Sequence, residues 1–323
     1  MTPSRDRLRG TLLGTAVGDA LGMPIEGLSH QNVRTYYKGI KEYRTDDQRG
    51  DLEAGQWTDD TQMTFALVRS LTTAEHPEAW PGAAAEAYVA LQSEARRWGD
   101  TTTAAVERLA NGTDPAESGG VERATDGAAM RSAPLGAWWA ATGADRATAF
   151  SAIRAVLAVT HRHPVALVAG WGQAAAVQFL LRTTVEELER EAFWTHLIDA
   201  ITWAEAELEA NDRVSARLRD LHGHLDAFPL DLRDRCDGVT VRADEAWPFA
   251  CAMVARRPHL LENTLLSGIN VGGDADTTGA MMGAQLGALH GWSAFPDEWH
   301  EGLEDGVRLE AEADAFVDAL DQA

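Results

Sequence analysis

Two short acidic clusters carry the side chains best suited to chemistry. In Gly55-Gln56-Trp57-Thr58-Asp59-Asp60-Thr61-Gln62-Met63, two adjacent carboxylates stand at the mouth of a helical run. In Gly272-Gly273-Asp274-Ala275-Asp276-Thr277-Thr278-Gly279, two aspartates are separated by one residue. Residues two apart in an extended segment point to the same side, so Asp274 and Asp276 are expected to converge. Converging carboxylates repel each other unless a cation lies between them or one keeps its proton. A hard divalent ion such as Mg²⁺ or Mn²⁺ takes such oxygen ligands, and Thr277 or Thr278 can add a hydroxyl. Gly272 and Gly273 free the backbone to turn tightly ahead of the helix. A calcium EF-hand does not fit, because its acidic twelfth position falls on Gln285. Both clusters also admit a purely structural reading as helix starts. Thr58 would cap, and Asp59 and Asp60 would complement the helix dipole for about 0.3–1 kcal/mol. A second Thr-Asp-Asp triplet, Thr45-Asp46-Asp47, runs into Gln48-Arg49-Gly50-Asp51 with no apolar helix behind it, and is set aside.

The elements that must position these residues are helices. Met63, Leu67, Leu71 and Ala74 recur every three or four residues, as do Val185, Leu188, Ala192, Leu197 and Ile201, and Leu309, Ala313, Phe316 and Leu320. Alternating β-branched runs are scarce, and Val239-Thr240-Val241 is the best short strand candidate. The pattern predicts an all-α fold, many helices in a single compact domain over residues 1–323. Segments 38–57, 111–128 and 228–247 read as loops, and none has the biased composition of a linker. Two glycine ladders stand out, Gly10, Gly14, Gly18 and Gly22, and Gly279, Gly283, Gly287 and Gly291. Spacing of four puts each set on one helix stripe, where another backbone can approach closely. Each interior glycine costs about 1 kcal/mol against alanine, so close packing must compensate.

The chain has 323 residues, 45% hydrophobic, and a formal net charge of -22. That excess disfavours nucleic-acid backbones and anionic membranes as main partners. Only Cys236 and Cys251 are present, which points to a reducing cytoplasm rather than a disulfide framework. Charged residues within the first ten argue against a signal peptide. The uncharged run Pro164–Leu181 contains Gly170, Gly172, Gln173 and Gln178, and fits a buried core helix better than a membrane span. Its Gly170-Trp171-Gly172-Gln173-Ala174-Ala175 imitates a dinucleotide fingerprint, but Trp171 is bulky where a phosphate turn needs room.

Taken together, the chain resembles the ADP-ribosylglycohydrolase family, the dinitrogenase-reductase-activating glycohydrolases and their animal relatives. Five blocks in family order carry the resemblance: GTLLGTAVGDALGMPIEG (10–27), GQWTDDTQMTFAL (55–67), DGAAMRSAPLG (126–136), VTHRHP (159–164) and GGDADTTGAMMGAQLGALHG (272–291). The resemblance implies an orthogonal all-α bundle and two divalent cations, Mg²⁺ or Mn²⁺, shared by Thr58, Asp59, Asp60, Asp274, Asp276 and Thr277. It implies hydrolysis at the anomeric carbon joining ADP-ribose to an acceptor, on an ADP-ribosylated protein or a small-molecule conjugate. Asp59, Asp60 and Asp276 would be catalytic. Glu26, whose bland reading is an exposed loop glutamate, would position or deprotonate water. Asp126, Gly127, Ala128, Ala129 and Met130 resemble the family's phosphate-contacting turn, with Asp126 where the family usually has asparagine. His161 matches a position near the ligand, against the plain reading of a satisfied core or cap residue. An arginine-linked acceptor is favoured over a serine-linked one, because an acidic rim attracts a guanidinium. O-acetyl-ADP-ribose, a nucleic-acid-linked conjugate, or a non-catalytic lens-type role are the alternatives.

Overall fold

The apolar periods become helices along most of the chain. The computed structural model describes residues 2–74 and 76–321. Its principal helices are α1 (Arg5–Gly22), α2 (Asp59–Thr73), α3 (Trp80–Leu91), α4 (Asp100–Ala110), α5 (Ala133–Thr142), α6 (Arg146–Ala158) and α7 (Pro164–Leu181). They continue as α8 (Arg190–Glu207), α9 (Arg213–His222), α10 (Ala243–Arg256), α11 (Leu261–Ile269), α12 (Ala275–His290) and α13 (Gly306–Leu320). Among the described residues there is no β-strand, only isolated bridges at Ser29–Gly272, Gly120–His161 and Thr125–Arg242. The all-α expectation holds.

The two glycine ladders pack against each other, with α1 and α12 running antiparallel at the centre. A Cβ added at Gly14 would collide with the Gly283 carbonyl, and one at Gly18 with the Gly279 carbonyl. Gly10 meets Gly287 in the same way, and Gly22 meets Ala275. Only hydrogen fits between these backbones, which is the compensation that glycines inside helices require. The close approach brings Asp19, near the end of α1, up to the start of α12, where Asp276 lies. Helix α7 forms a second axis, apolar on every face, with 83% of its length buried inside the protein. Its Trp171 stacks on Trp139 at 4.6 Å and meets Phe150 edge-on at 5.3 Å. Gly170 and Gly172 lie inside this helix, where a Cβ would press on Leu157 and Trp247. The fingerprint-like glycines therefore serve packing, and no phosphate turn exists there.

Three local expectations are corrected. Val239-Thr240-Val241 is not a strand, because Val239 has a left-handed backbone (φ 58) that breaks the extended run. Its carbonyls instead brace two site loops: Val239 O accepts from Asp274 N at 2.9 Å and Val241 O from Asp126 N at 3.1 Å. Segment 228–247 is partly helical, with Pro229–Arg235 started by its proline and α10 beginning at Ala243. Val185 and Leu188 precede α8 in turns.

Candidate active site

The site is assembled from helix starts and the loops that brace them. At the start of α2, Thr58 occupies the N-cap position without bonding a backbone N–H of its own helix. The cap comes instead from Asp19 on α1. Its carboxylate accepts from the Thr58 and Thr61 backbone N–H groups at 3.0 Å, and from the two hydroxyls at 2.9 and 2.6 Å. Asp19 therefore satisfies orphan donors of a helix 39 residues away and sets a negative charge on its dipole. Burial pushes Asp19 up to about 6, against the hydrogen bonds from Thr61 and Thr58. No local sequence pattern singles out this residue, which lies between Gly18 and Gly22 of the first ladder.

Cross-links then join the two acidic clusters. Asp60 Oδ2 accepts from Thr277 Oγ1 at 3.3 Å and lies 3.2 Å from Thr58 Oγ1, while Asp60 Oδ1 is buried without a partner among the described residues. The premise that Asp274 and Asp276 converge from an extended segment is corrected: α12 begins at Ala275, and the two residues straddle its first turn. They still meet, because Gly272 and Gly273 adopt positive φ (77 and 80) and fold the chain into the helix. Burial first, then neighbouring carboxylates, push Asp59, Asp60 and Asp276 well above the usual carboxylate range. Burial raises Asp274 too.

Glu26 is strapped to the same turn. Gly27 N donates to Gly273 O at 2.8 Å and Gly273 N to Leu28 O at 2.8 Å. Arg49 and Arg97 (3.2 Å) pair with Glu26 Oε2, and Asp276 lies within hydrogen-bond reach of the same carboxyl. Burial would raise Glu26, but the bonded Arg49 and the charge of Arg97 outweigh it and hold the group low. Arg97 is fixed in turn by Asp51 and by Asp46 at 2.6 Å. The discarded triplet Thr45-Asp46-Asp47 thus anchors a residue beside the site, a role with no signal in its sequence.

The segment expected to be a phosphate turn lies beside the cleft. Residues Gly127–Met130 form a single helical turn whose Ala129 and Met130 N–H groups donate to Asp126 O at 2.7 and 3.1 Å. Those two amides are therefore engaged within the turn. Gly127 and Ala128 make no backbone N–H bond among the described residues. Asp126 Oδ2 is buried without a partner, and burial followed by Asp274 pushes its carboxyl well up. His161 is 1% exposed, with Nδ1 at 2.8 Å from Thr160 Oγ1 and Nε2 at 2.9 Å from Thr125 Oγ1. Both nitrogens are engaged, so it is satisfied as well as close to the cleft. His163 caps α7 through Val165 N at 3.2 Å and pairs with nothing in the site.

Glu26, Asp59, Asp126, His161, Asp274 and Asp276 line one cleft of about 300 Å³. Larger hollows beside Trp57 and Arg308 (about 530 Å³) and beside Trp80 and Trp138 (about 630 Å³) are lined by none of Asp59, Asp60, Asp274 and Asp276. Two orphaned buried carboxylate oxygens, on Asp60 and Asp126, sit among carboxyls whose only cationic partners among the described residues are the arginines on Glu26. Among the described residues no three such groups close on a common point. Burial and the neighbouring carboxylates push Asp126 and Asp276 well up, which favours their neutral forms and lessens the charge here. An oxygen donor set with unused buried lone pairs and excess negative charge fits hard divalent cations.

An all-helical scaffold gathering carboxylates from two helix starts and a strapped loop defines the class of molecule. The chain belongs to the ADP-ribosylglycohydrolase family, whose model matches residues 1–323. It is 30% identical over 321 residues to the ADP-ribosyl-[dinitrogen reductase] glycohydrolase of Rhodospirillum rubrum, covering 98% of this chain and 95% of that one. It is 27% identical over 337 residues to mouse ADP-ribosylhydrolase ARH3, covering 93% and 88%. A solved structure titled ADP-ribosylglycohydrolase-related protein complex superposes with a TM-score of 0.76 at 26% identity, covering 98% of each chain.

Proposed function

We propose that this chain hydrolyses the bond between the anomeric carbon of ADP-ribose and an acceptor, in a reaction that depends on two divalent cations. The observation that carries the reading is the meeting of Asp59, Asp274, Asp276 and Glu26 from distant segments in one cleft, with Asp60 buried behind its wall and bonded to the cleft residue Thr277 at 3.3 Å. The relatives act on ADP-ribose conjugates by their names, and the family is shared over the whole chain. Thr58, Asp59, Asp60, Asp274, Asp276 and Thr277 are the donors that would hold the cations. Bound there, Mg²⁺ or Mn²⁺ supplies Lewis-acid polarisation and a water of lowered pKa.

The remaining steps belong to the chain's own residues. Glu26 is held ionised by Arg49 and Arg97, so at neutral pH it is ready to accept a proton from water, not to give one. The surrounding carboxylates stabilise positive charge developing at the anomeric carbon in an oxocarbenium-like transition state. Asp19 acts one step back, holding Thr58 and the first turn of α2 in register.

An arginine-linked acceptor is the favoured substrate. Glu26 already accepts two guanidiniums of its own chain at the cleft, which supports the suitability of this rim for a third. Both free cysteines are buried, which suits a cytoplasmic setting. The test is a substrate panel linked through arginine, serine, carboxylate, O-acetyl and nucleic-acid acceptors, assayed with Mg²⁺, Mn²⁺ or chelator. Release of ADP-ribose fastest from the arginine conjugate, and only with cation, is expected. Release from none of them would refute the hydrolase reading, and faster release from another conjugate would reassign the acceptor.

A further inference from the structure

Behind the cleft wall lies a fully buried guanidinium with no carboxylate partner. Arg131 is 0% exposed, and donates to the carbonyls of Gly127 and Leu157 and to Thr160 Oγ1 at 2.5 Å. Arginine is a donor only, so Thr160 Oγ1 accepts this bond and its own proton must go elsewhere. Among the described residues the acceptor in reach is His161 Nδ1, at 2.8 Å. Were Nδ1 protonated instead, the buried Thr160 hydroxyl would accept twice and leave its proton unpaired, which folded interiors avoid. Burial, and secondarily Arg131, keep the ring neutral. His161 is thereby fixed as the tautomer with the proton on Nε2, and that proton goes to Thr125 Oγ1 at 2.9 Å. Having accepted there, Thr125 directs its own proton outward, toward Thr101 Oγ1 at 3.5 Å and the cleft that both residues line.

We infer that Arg131, acting through Thr160 and His161, makes the Thr125 hydroxyl a hydrogen-bond donor to an acceptor oxygen of the bound ligand. Thr125 touches the ligand, whereas Arg131, Thr160 and His161 are positioning residues. Gly127 belongs to the same device, since a Cβ there would stand 2.6 Å from the imidazole Cε1. The ligand named here, ADP-ribose, rests on the function proposed above. The chain of bonds does not.

The test reads the ring nitrogens of His161 directly. Protein labelled with ¹⁵N-histidine, with His161→Gln to assign the signal, is expected to show a protonated Nε2 and a bare Nδ1. Thr160→Val keeps shape but removes the link, and is expected to shift the ring toward mixed tautomers. Arg131→Met should do the same, and the valine variant decides the matter if the methionine variant fails to fold. In calorimetry with ADP-ribose, Thr125→Val is expected to bind about tenfold more weakly, while Thr125→Ser stays within about threefold of wild type. A proton on Nδ1 in wild type, an unchanged tautomer in Thr160→Val, or wild-type affinity in Thr125→Val would each overturn the inference. If the wild type binds no ADP-ribose, the proposed function falls, and the ring nitrogens still decide the relay on their own.

Discussion

Asp126 stands where the family resemblance leads one to expect asparagine, and its surroundings explain why the exchange is tolerated. Burial and the neighbouring Asp274 push its carboxyl well above the usual range, which favours the neutral form and brings it closer to asparagine in charge. Asp126→Asn is therefore expected to keep kcat/KM within about tenfold, ~1.4 kcal/mol, by steady-state assay. A larger loss, with weaker ADP-ribose binding, would mean that the carboxylate itself serves the acceptor. Not every site residue was legible at this scale. Asp59, Asp60, Asp274 and Asp276 announce themselves as acidic pairs before apolar runs. Glu26 is visible only through the resemblance, since alone it reads as a loop glutamate. Asp19 gives no signal, because its partners Thr58 and Thr61 lie 39 and 42 positions away. A lone carboxylate buried in a glycine ladder was the available clue, as burial of an unpaired charge demands a tertiary partner.

Among the elements, the glycine ladders were readable and proved to be the central device of the fold. Their four-residue spacing specifies a contact face whatever the partner, and here each ladder is the other's partner. Gly18→Ala places a methyl against the Gly279 carbonyl on a helix that cannot retreat without carrying the Asp276 turn with it. The expected cost is about 3 kcal/mol in urea denaturation, with activity falling further than stability. Gly82 has open space around it, and Gly82→Ala is the matched control, expected to be neutral or slightly stabilising. The strand expected at Val239–Val241 failed for a physical reason. β-branched composition reports a preference for extended backbone, whereas the left-handed Val239 goes with the bonds that it and Val241 accept from Asp274 and Asp126. Loop braces of this kind are tertiary in origin, and no local pattern encodes them.

For the whole molecule, acid chemistry governs stability. Asp19 titrates near 6, and Asp59, Asp60, Asp126 and Asp276 are pushed well above the usual range. Between about pH 4 and these raised values, the folded chain binds more protons than the unfolded one, so stability falls as pH rises. Glu26, Asp51, Asp145 and Asp226 are held low and act in the opposite sense only below that window, whereas the lowered imidazoles of His161, His163, His196 and His290 oppose the trend within it, up to about pH 6.5. Above about pH 6.5 those histidines are neutral in both states and the raised carboxyls alone set the slope, to which the net charge of -22 adds repulsion in the same direction. In chelator, the melting temperature is expected to be lower at pH 8 than at pH 5.5. Mg²⁺ or Mn²⁺ should flatten that slope, because they bind the assembled carboxylates of the folded chain alone. A melting temperature that climbs with pH in chelator would contradict this electrostatic description.

The most direct measurement of the central claim is turnover of an ADP-ribosylated substrate against Mn²⁺ concentration, for wild type and Asp276→Asn. The substitution keeps size and removes one anionic donor from the start of α12. Circular dichroism on the same preparations should show both proteins folded, since losing one of several crowded carboxylates also relieves repulsion. Wild type is expected to be silent in chelator and to saturate with cation. The variant should need more Mn²⁺ and reach a turnover lower by about 100-fold or more. Wild-type turnover that persists in chelator, or an Asp276→Asn curve that overlays the wild type, would contradict the placement of a metal-dependent hydrolytic centre at this cluster.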